Sequence, residues 1–278
     1  MTPQGTPQAP PQAAPPPTPS PVSSSFLYMP DRTQAIVLGA LASLAFIAFG
    51  TLIFPTTLAR ILLDYPSKHF LYPFTMQNIM HVLFFVALGD LFVRWRVGVR
   101  ETSFLHQRYL PEDDQTVLRV KDLGPIRRRV IGQFDREHGI LPSLIDLSIL
   151  QFQSSHSVDQ AASVMNSALQ LTAHRVDMRY GMVRFIAWLV PTLGFIGTVY
   201  GLGAALMEAG ENKGGLDLKE VARTLGIGFD ATMTALMQSA VLVFVLQMVQ
   251  AKEESAVNHA GEYTLRNLIN RLYVERKS

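Results

Sequence analysis

The sequence predicts an all-α membrane protein with four transmembrane helices and a helical cytoplasmic domain. Its mean hydropathy is only +0.19, so the spacing of charges is more informative than the average composition. A bilayer core about 30 Å thick takes roughly 20 helical residues to cross, and a helix satisfies its own backbone in lipid. Four windows of at least that length are almost free of charged side chains, at residues 33–59, 69–89, 185–207 and 224–251.

The first 32 residues predict a disordered, proline-rich cytoplasmic tail. Nine prolines and no lysine or arginine occur among residues 1–25. The positively charged start of a signal peptide is missing, so we expect the first span to be a retained anchor. The absence of cysteine excludes disulfides and thiolate metal sites.

The basic residues predict the orientation of the spans. Nineteen of the 24 lysines and arginines fall in the tail before the first span, the central segment and the C-terminal tail. Basic residues collect on the cytoplasmic side of membrane proteins, so both termini and the central segment are expected there. The predicted organisation is a tail (1–32), two spans (33–95), a cytoplasmic domain (96–183), two further spans (184–251) and a C-terminal helix (252–278).

The central segment has the composition of a protein-packing domain and not of a nucleic-acid-binding one. Counted from Arg94 to Arg184, its thirteen basic residues are balanced by ten acidic ones, so no strong positive field results. From residue 158 the chain has neither proline nor glycine until Gly181. We therefore predict one helix over residues 158–207, about 75 Å long, that continues from the domain into the third span.

The third span carries a face of small residues with one hydroxyl. At 100° per residue, one face of this helix holds Pro191, Gly194, Thr198, Gly201 and Ala205. Gly197 is part of the same glycine-rich run. Such a face permits close approach of another helix, so it indicates either helix packing or the wall of a pore.

The fourth span carries a polar seam, Asp230, Thr234 and Gln238, which recur at intervals of four. An ionisable residue at membrane depth is costly and is by default a functional candidate. Asp230 lies only seven residues after Arg223, so a place at the outer interface or a capping role remains the alternative.

These two stretches resemble the signatures of the MotA/TolQ/ExbB ion-channel family. The first is Pro-x-Leu-Gly-x-x-Gly-Thr-Val-x-Gly at residues 191–201, and the second is Gly-Ile followed by Thr-Ala at residues 226–235. Two linked motifs in the right order on adjacent spans are fairly specific, and the likeness covers roughly the last hundred residues.

The resemblance implies a ring-forming subunit of an ion-driven motor in the bacterial inner membrane. A pentamer of this chain would surround two copies of a one-span ExbD/TolR/MotB-like membrane protein, and ion flow would drive rotation that does mechanical work. Carried over by position, Thr198 and Thr234 would line the ion path, with Asp230 as a third candidate. The expected ion is H+, with Na+ as the alternative, and no cofactor, metal, nucleic acid or enzymatic activity is expected.

The sequence also departs from the family pattern. Its four predicted spans are like those of MotA, whereas Thr198 is like the residue in TolQ and ExbB. The acid that TolQ and ExbB carry at the start of the last span falls on Phe229 here, one residue before Asp230.

Two other classes of function fit parts of the sequence. Ala87-Leu88-Gly89-Asp90 is similar to the Gly-x-Gly-Asp of intramembrane aspartyl proteases, with Asp230 as a second carboxylate. However, Asp90 also has the i, i+4 spacing of an ordinary ion pair with Arg94. The third class is a non-conducting scaffold whose small faces serve only for packing.

We predict that cysteines placed at Ser67 and Lys213 are labelled from outside the cell, because both lie in sparsely basic connections. A cysteine at Ser154 should be protected in intact cells and labelled after permeabilisation. Reaction with a membrane-impermeant maleimide measures the accessibility of each cysteine before and after permeabilisation. External labelling at Ser154 would invert the topology.

Overall fold

The described part of the chain is helical throughout. The computed structural model describes residues 32–66, 71–113, 116–133, 139–211 and 218–273. Within these ranges, extended backbone pairs at one isolated parallel β-bridge, between Leu118 and Leu272. The helices are α1 (Arg32–Ile53), α2 (Thr56–Leu63), α3 (Met76–Leu105), α4 (Val120–Gln133), α5 (Ile140–Ser155), α6 (Val158–Arg179), α7 (Gly181–Glu211) and α8 (Leu218–Asn267), followed by a 3₁₀ turn (Ile269–Arg271).

Four helical stretches of the described residues are long and apolar enough to cross a membrane: α1, α3, the consecutive α6 and α7, and α8. The prediction of four such stretches is therefore confirmed at the level of length and composition. The proline-rich tail, Ser67 and Lys213 lie outside the described residues.

The first span is shorter than the predicted window of 33–59. Helix α1 ends at Ile53, because Pro55 follows and disfavours helical geometry at Phe54. The next residues form the separate short helix α2, which the sequence did not predict. The second span also starts later than residue 69, at Met76, where the Thr75 hydroxyl caps the helix by accepting from the Asn78 amide.

The membrane part is a bundle in which α3, α7 and α8 share a core and α1 lies on the outside against α3. Buried side chains in this core include Met80, Leu91, Val190, Leu242 and Leu246. A Cβ on Gly39 would lie 2.6 Å from the Phe85 carbonyl oxygen, and one on Gly89 would lie 2.6 Å from that of Ala35. Helices α1 and α3 therefore cross with their backbones in close contact.

The predicted single helix over residues 158–207 is two consecutive helices with one residue between them. Helix α6 ends at Arg179, Tyr180 adopts a near-helical conformation (φ −83°, ψ −6°), and α7 begins at Gly181. Helix α8, by contrast, runs for 50 residues without a break and contains both the fourth span and residues 252–267.

The segment that the sequence predicts to be cytoplasmic forms a helical domain with its own core, to which the end of α8 contributes. Helices α4, α5 and α6 bury Leu123, Ile145, Phe152 and Met165 together with Ala260 and Leu268. A Cβ on Gly261 would lie 2.7 Å from Leu169, so α8 packs closely against α6. Residues 252–267 are thus the continuation of the fourth span and an integral part of this domain. We call the opposite end of the bundle, where α3 and α8 begin, the distal end.

A matched pair of leucines on α5 tests this core. Leu144 is buried and Leu147 is 36% exposed. We expect Leu144→Ala to lower the free energy of unfolding by about 2–5 kcal/mol, because it leaves a cavity in the core. Leu147→Ala should lower the free energy of unfolding by well under half of that amount. Chemical denaturation of the full chain in detergent, followed by circular dichroism, measures both, and equal losses would contradict the assigned core.

Candidate ion path

Helices α7 and α8 meet through small residues on both sides. A Cβ on Gly194 would clash with the Cβ of Ala235, and one on Gly201 would lie 2.9 Å from the Cα of Gly228. Gly197 faces Ala231 in the same way, at 3.0 Å. The two backbones therefore touch over several turns, which larger side chains would prevent.

The small face of the third span is thus occupied by α8 of the same chain. The sequence left two roles open for this face, helix packing and the wall of a pore, and the small size of its residues favoured a face too slim to be filled by its own neighbour and open toward a pore. The structure differs because α8 presents residues that are equally small at the facing positions. Pro191 is half-buried within α7, and Ala205 is buried.

The Thr198 and Thr232 hydroxyl oxygens lie side by side at this interface, in close contact. Thr198 Oγ1 donates across to the Gly228 carbonyl at 3.1 Å, and Thr232 Oγ1 donates across to the Gly194 carbonyl at 2.8 Å. Each threonine therefore bonds to the glycine that precedes the other threonine by four residues. Both threonines are half-buried, so the pair lies at the edge of the interface.

Thr234 does not join this pair. Its hydroxyl donates to the Ile61 carbonyl of α2 at 3.3 Å, and the residue is 3% exposed. Residues 232 and 234 differ by about 200° around a helix, so the two hydroxyls point to opposite sides of α8. The structure brings Thr198 together with Thr232, which the sequence analysis did not single out.

The seam on α8 instead faces the short helix α2 and His81 of α3. The His81 Nε2 lies 2.9 Å from the Leu62 carbonyl, and its Nδ1 lies 2.6 Å from Gln238 Nε2. A carbonyl only accepts, so Nε2 carries the ring hydrogen and Nδ1 accepts from the Gln238 amide. Both ring nitrogens are occupied by structural hydrogen bonds.

Three side chains satisfy the last carbonyls of α2. Thr234 bonds to Ile61, His81 bonds to Leu62, and the Thr75 hydroxyl donates to Leu63 at 3.1 Å. The last carbonyls of a helix have no partner within the helix. The seam residues therefore hold α2 in place while they satisfy its backbone.

Asp230 completes this arrangement at the other end of the seam. Its Oδ2 lies 4.0 Å from Arg60 Nε, and both side chains are partly exposed. This is a long ion pair, and it again links α8 to α2. Asp230 and Thr234 therefore contact α2 directly, and Gln238 is linked to it through His81.

The two acids of the protease alternative are far apart. Asp90 pairs with Arg94 at 2.8 Å, and the Arg94 guanidinium lies over the Tyr180 ring, 4.9 Å from its centroid. The Tyr180 hydroxyl in turn reaches Glu253, which is roughly 35 Å along α8 from Asp230. Asp90 and Asp230 therefore form no dyad.

A buried polar network at the end of the bundle next to the helical domain escaped the sequence analysis. Glu253 is 1% exposed and accepts hydrogen bonds from the Tyr180 hydroxyl at 2.7 Å and from Arg179 at 3.3 Å. With Asp90 and Arg94, these residues connect α3, the break between α6 and α7, and α8. No regular motif in the sequence marks them, since they come from three distant segments.

The described fold defines a helical protein with four candidate membrane spans and a tightly packed pair, α7 and α8, with hydroxyls at their interface. Residues 138–261 match the model of the MotA/TolQ/ExbB proton channel family. This range contains α5, α6, α7 and most of α8, including both motifs. The resemblance to this family is therefore confirmed for that part of the chain. Neither the curated proteins nor the solved structures gave a match.

Two glycines on α7 test the close approach of α7 and α8. A Cβ on Gly201 would lie 2.9 Å from the Gly228 Cα, whereas a Cβ on Gly203 would meet nothing within 4 Å among the described residues. We expect Gly201→Ala to lower the thermal midpoint in detergent, because the helices must separate. Gly203→Ala should leave it unchanged or raise it. A destabilised Gly203→Ala with a stable Gly201→Ala would contradict this interface.

Proposed function

We propose that this chain is the proton-conducting subunit of a bacterial inner-membrane motor, which converts ion flow into mechanical work through a one-span partner. The observation that carries the proposal is the crosswise pair of Thr198 and Thr232, because it lies within the two helices that match a proton channel family. Proton is the favoured ion, and Na+ is the alternative.

The hydroxyl pair has the chemistry of a channel lining. Hydroxyl and carbonyl oxygens replace water around a moving ion in narrow pores. Here two hydroxyls and the carbonyls of Gly194 and Gly228 lie together, and the half-buried position of Thr198 and Thr232 leaves one side of the pair open toward a neighbouring helix.

The match to this family supports assembly into a homo-oligomer, which we take to be a pentamer around two partner helices. Phe195, Leu206 and Phe244 are each about two-thirds exposed in the single chain, as contact with lipid or with a neighbouring helix requires. Because α8 already fills the small face of α7, the partner helix would lie beside the open edge of the hydroxyl pair. The carboxylate that carries the proton would belong to that helix.

A non-conducting scaffold is the second candidate. The observation in its favour is that both threonine hydroxyls already have backbone acceptors, which would be sufficient reason for their presence in a packed helix pair. The two functions differ in one measurable property, the passage of ions.

Substitutions of the threonines distinguish these two functions. They also test whether the ion path runs past Thr232 or past Thr234. We expect Thr198→Val and Thr232→Val each to abolish proton flux, because valine keeps the shape and removes the oxygen. Thr198→Ser and Thr232→Ser, which keep the hydroxyl oxygen, should retain part of the proton flux. The measurement is the acidification of liposomes that contain the complex, purified with its partner, under an imposed potential and with a pH-sensitive dye inside.

Thr234→Val is the matched control on the same helix, since its hydroxyl faces Ile61 and not Thr198. It should conduct normally, and all variants should keep the native mass of the assembly in mild detergent. Flux lost in Thr234→Val and normal in Thr232→Val would instead support the path through Thr234. Normal flux in the Thr198→Val and Thr232→Val double variant would rule out the hydroxyl pair, and no flux in the wild type would favour the scaffold.

A further inference from the structure

A small polar cavity lies at the distal end of the bundle, where α3, α7 and α8 meet the end of α2. It has a volume of about 20 Å³, and its polar lining residues include Asp64, Gln77 and Thr224. Each of these three residues is 2% exposed. Gly197 and Gly201 of α7 form part of the opposite wall.

Gln77 provides an independent sign of a bound molecule. Its Nε2 is buried and has no hydrogen-bond partner among the described residues. A buried amide hydrogen without an acceptor costs roughly 1–3 kcal/mol, so such groups are normally satisfied by water or a ligand. The occupant of this cavity must therefore accept a hydrogen bond from Gln77.

The size and chemistry of the cavity fit one water molecule. A water needs roughly 10–15 Å³ by this measure and two or more polar partners. Its oxygen can accept from Gln77 Nε2, and its hydrogens can be donated to the Asp64 carboxylate. A metal cation would be repelled by the amide hydrogens of Gln77.

Asp64 is buried and lines this cavity at the end of α2. It terminates α2 in a left-handed conformation (φ 54°, ψ 46°), and its amide bonds to the last turn of that helix.

We propose that Asp64, Gln77 and Thr224 form a water-bearing proton-acceptor site on the distal side of the ion path. The site deepens the proposed function, and its part in ion flow rests on that function. A hydronium in the cavity transfers one proton to an Asp64 oxygen, which leaves neutral water and a protonated carboxyl group. When the carboxyl group releases the proton toward α7, Asp64 returns to the carboxylate.

The site lies close to the hydroxyl pair and is surrounded by groups that influence its charge. The cavity wall includes Gly197, the residue next to Thr198 on α7. Among the described residues, the charged or titratable groups on this side include Arg60 on α2, which pairs with Asp230 of α8, Tyr200 in the cavity wall, and Glu208, which accepts from the Thr224 hydroxyl at 3.0 Å. On α3, His81 is bound to α2 and Gln238.

Infrared difference spectroscopy of the full chain in liposomes, acid minus neutral, tests the site without a partner. We expect the stretching band of a buried protonated carboxyl group, which Asp64→Asn loses and Asp64→Glu shifts. We also expect a water band that moves in water labelled with oxygen-18 and is lost in Gln77→Leu. Asp146→Asn, which removes a buried carboxylate of the cytoplasmic domain, should keep both bands.

The site is refuted if Asp64→Asn keeps the carboxyl band, or if the labelled water band persists in Gln77→Leu. If Asp64→Asn does not fold, the carboxyl band of Asp64→Glu and the water band of Gln77→Leu decide whether the site exists. Proton flux separates this site from the proposed function. Bands that behave as expected in a wild-type complex without flux would support the site alone, whereas flux that survives Asp64→Asn would remove the site from the ion path.

Discussion

The need to satisfy polar groups away from water is the constraint on which the rest of this structure depends. Backbone and side-chain groups in a bilayer core find no solvent, and each unpaired one costs several kcal/mol. The short helix α2 ends beside the bundle, and its last carbonyls would be such groups. Thr75, His81 and Thr234 provide the missing donors. The position of α2 therefore determines which polar residues α3 and α8 must carry.

The same constraint explains the close contact between α7 and α8. Hydrophobic association is weak between helices in lipid, so contact comes from van der Waals packing and from hydrogen bonds across the interface. Glycine and alanine bring the backbones together, and only then can the Thr198 and Thr232 hydroxyls reach carbonyls on the opposite helix. The hydroxyl pair and the small residues therefore form one structural feature, because the hydrogen bonds across the interface require the close contact that the small residues permit.

The sequence predicted the helical class, the four apolar stretches and the two motifs, because charge spacing and helical periodicity depend on local order alone. It did not predict α2, because the charge-free window continues past Pro55 to residue 59 and conceals the break. By resemblance it placed Thr198 and Thr234 on the ion path, whereas the structure brings Thr198 next to Thr232, because the motif fixes residue types and not the rotation of α8. The ion-path role of these threonines stays a prediction. A sequence signal for Thr232 does exist: Gly194 and Thr198 have the same spacing as Gly228 and Thr232, and the structure joins these two pairs crosswise.

The cavity beside Asp64 and the network around Glu253 lay beyond sequence reasoning for a common reason. Each draws its residues from three or more elements spread over more than 160 positions of the sequence, so only the packed fold brings them together. Their placement has a mechanical consequence. Helix α8 is continuous from the distal end to the helical domain, so it carries displacement along its length as a rigid rod. Helices α6 and α7 are separated at Tyr180, and there the hydroxyl of Tyr180 bonds to Glu253 of α8. A shift between α7 and α8 at the hydroxyl pair must therefore either carry this buried bond along or break it. Because a buried carboxylate that loses its donors is costly, the bond couples the membrane pair to the domain below it.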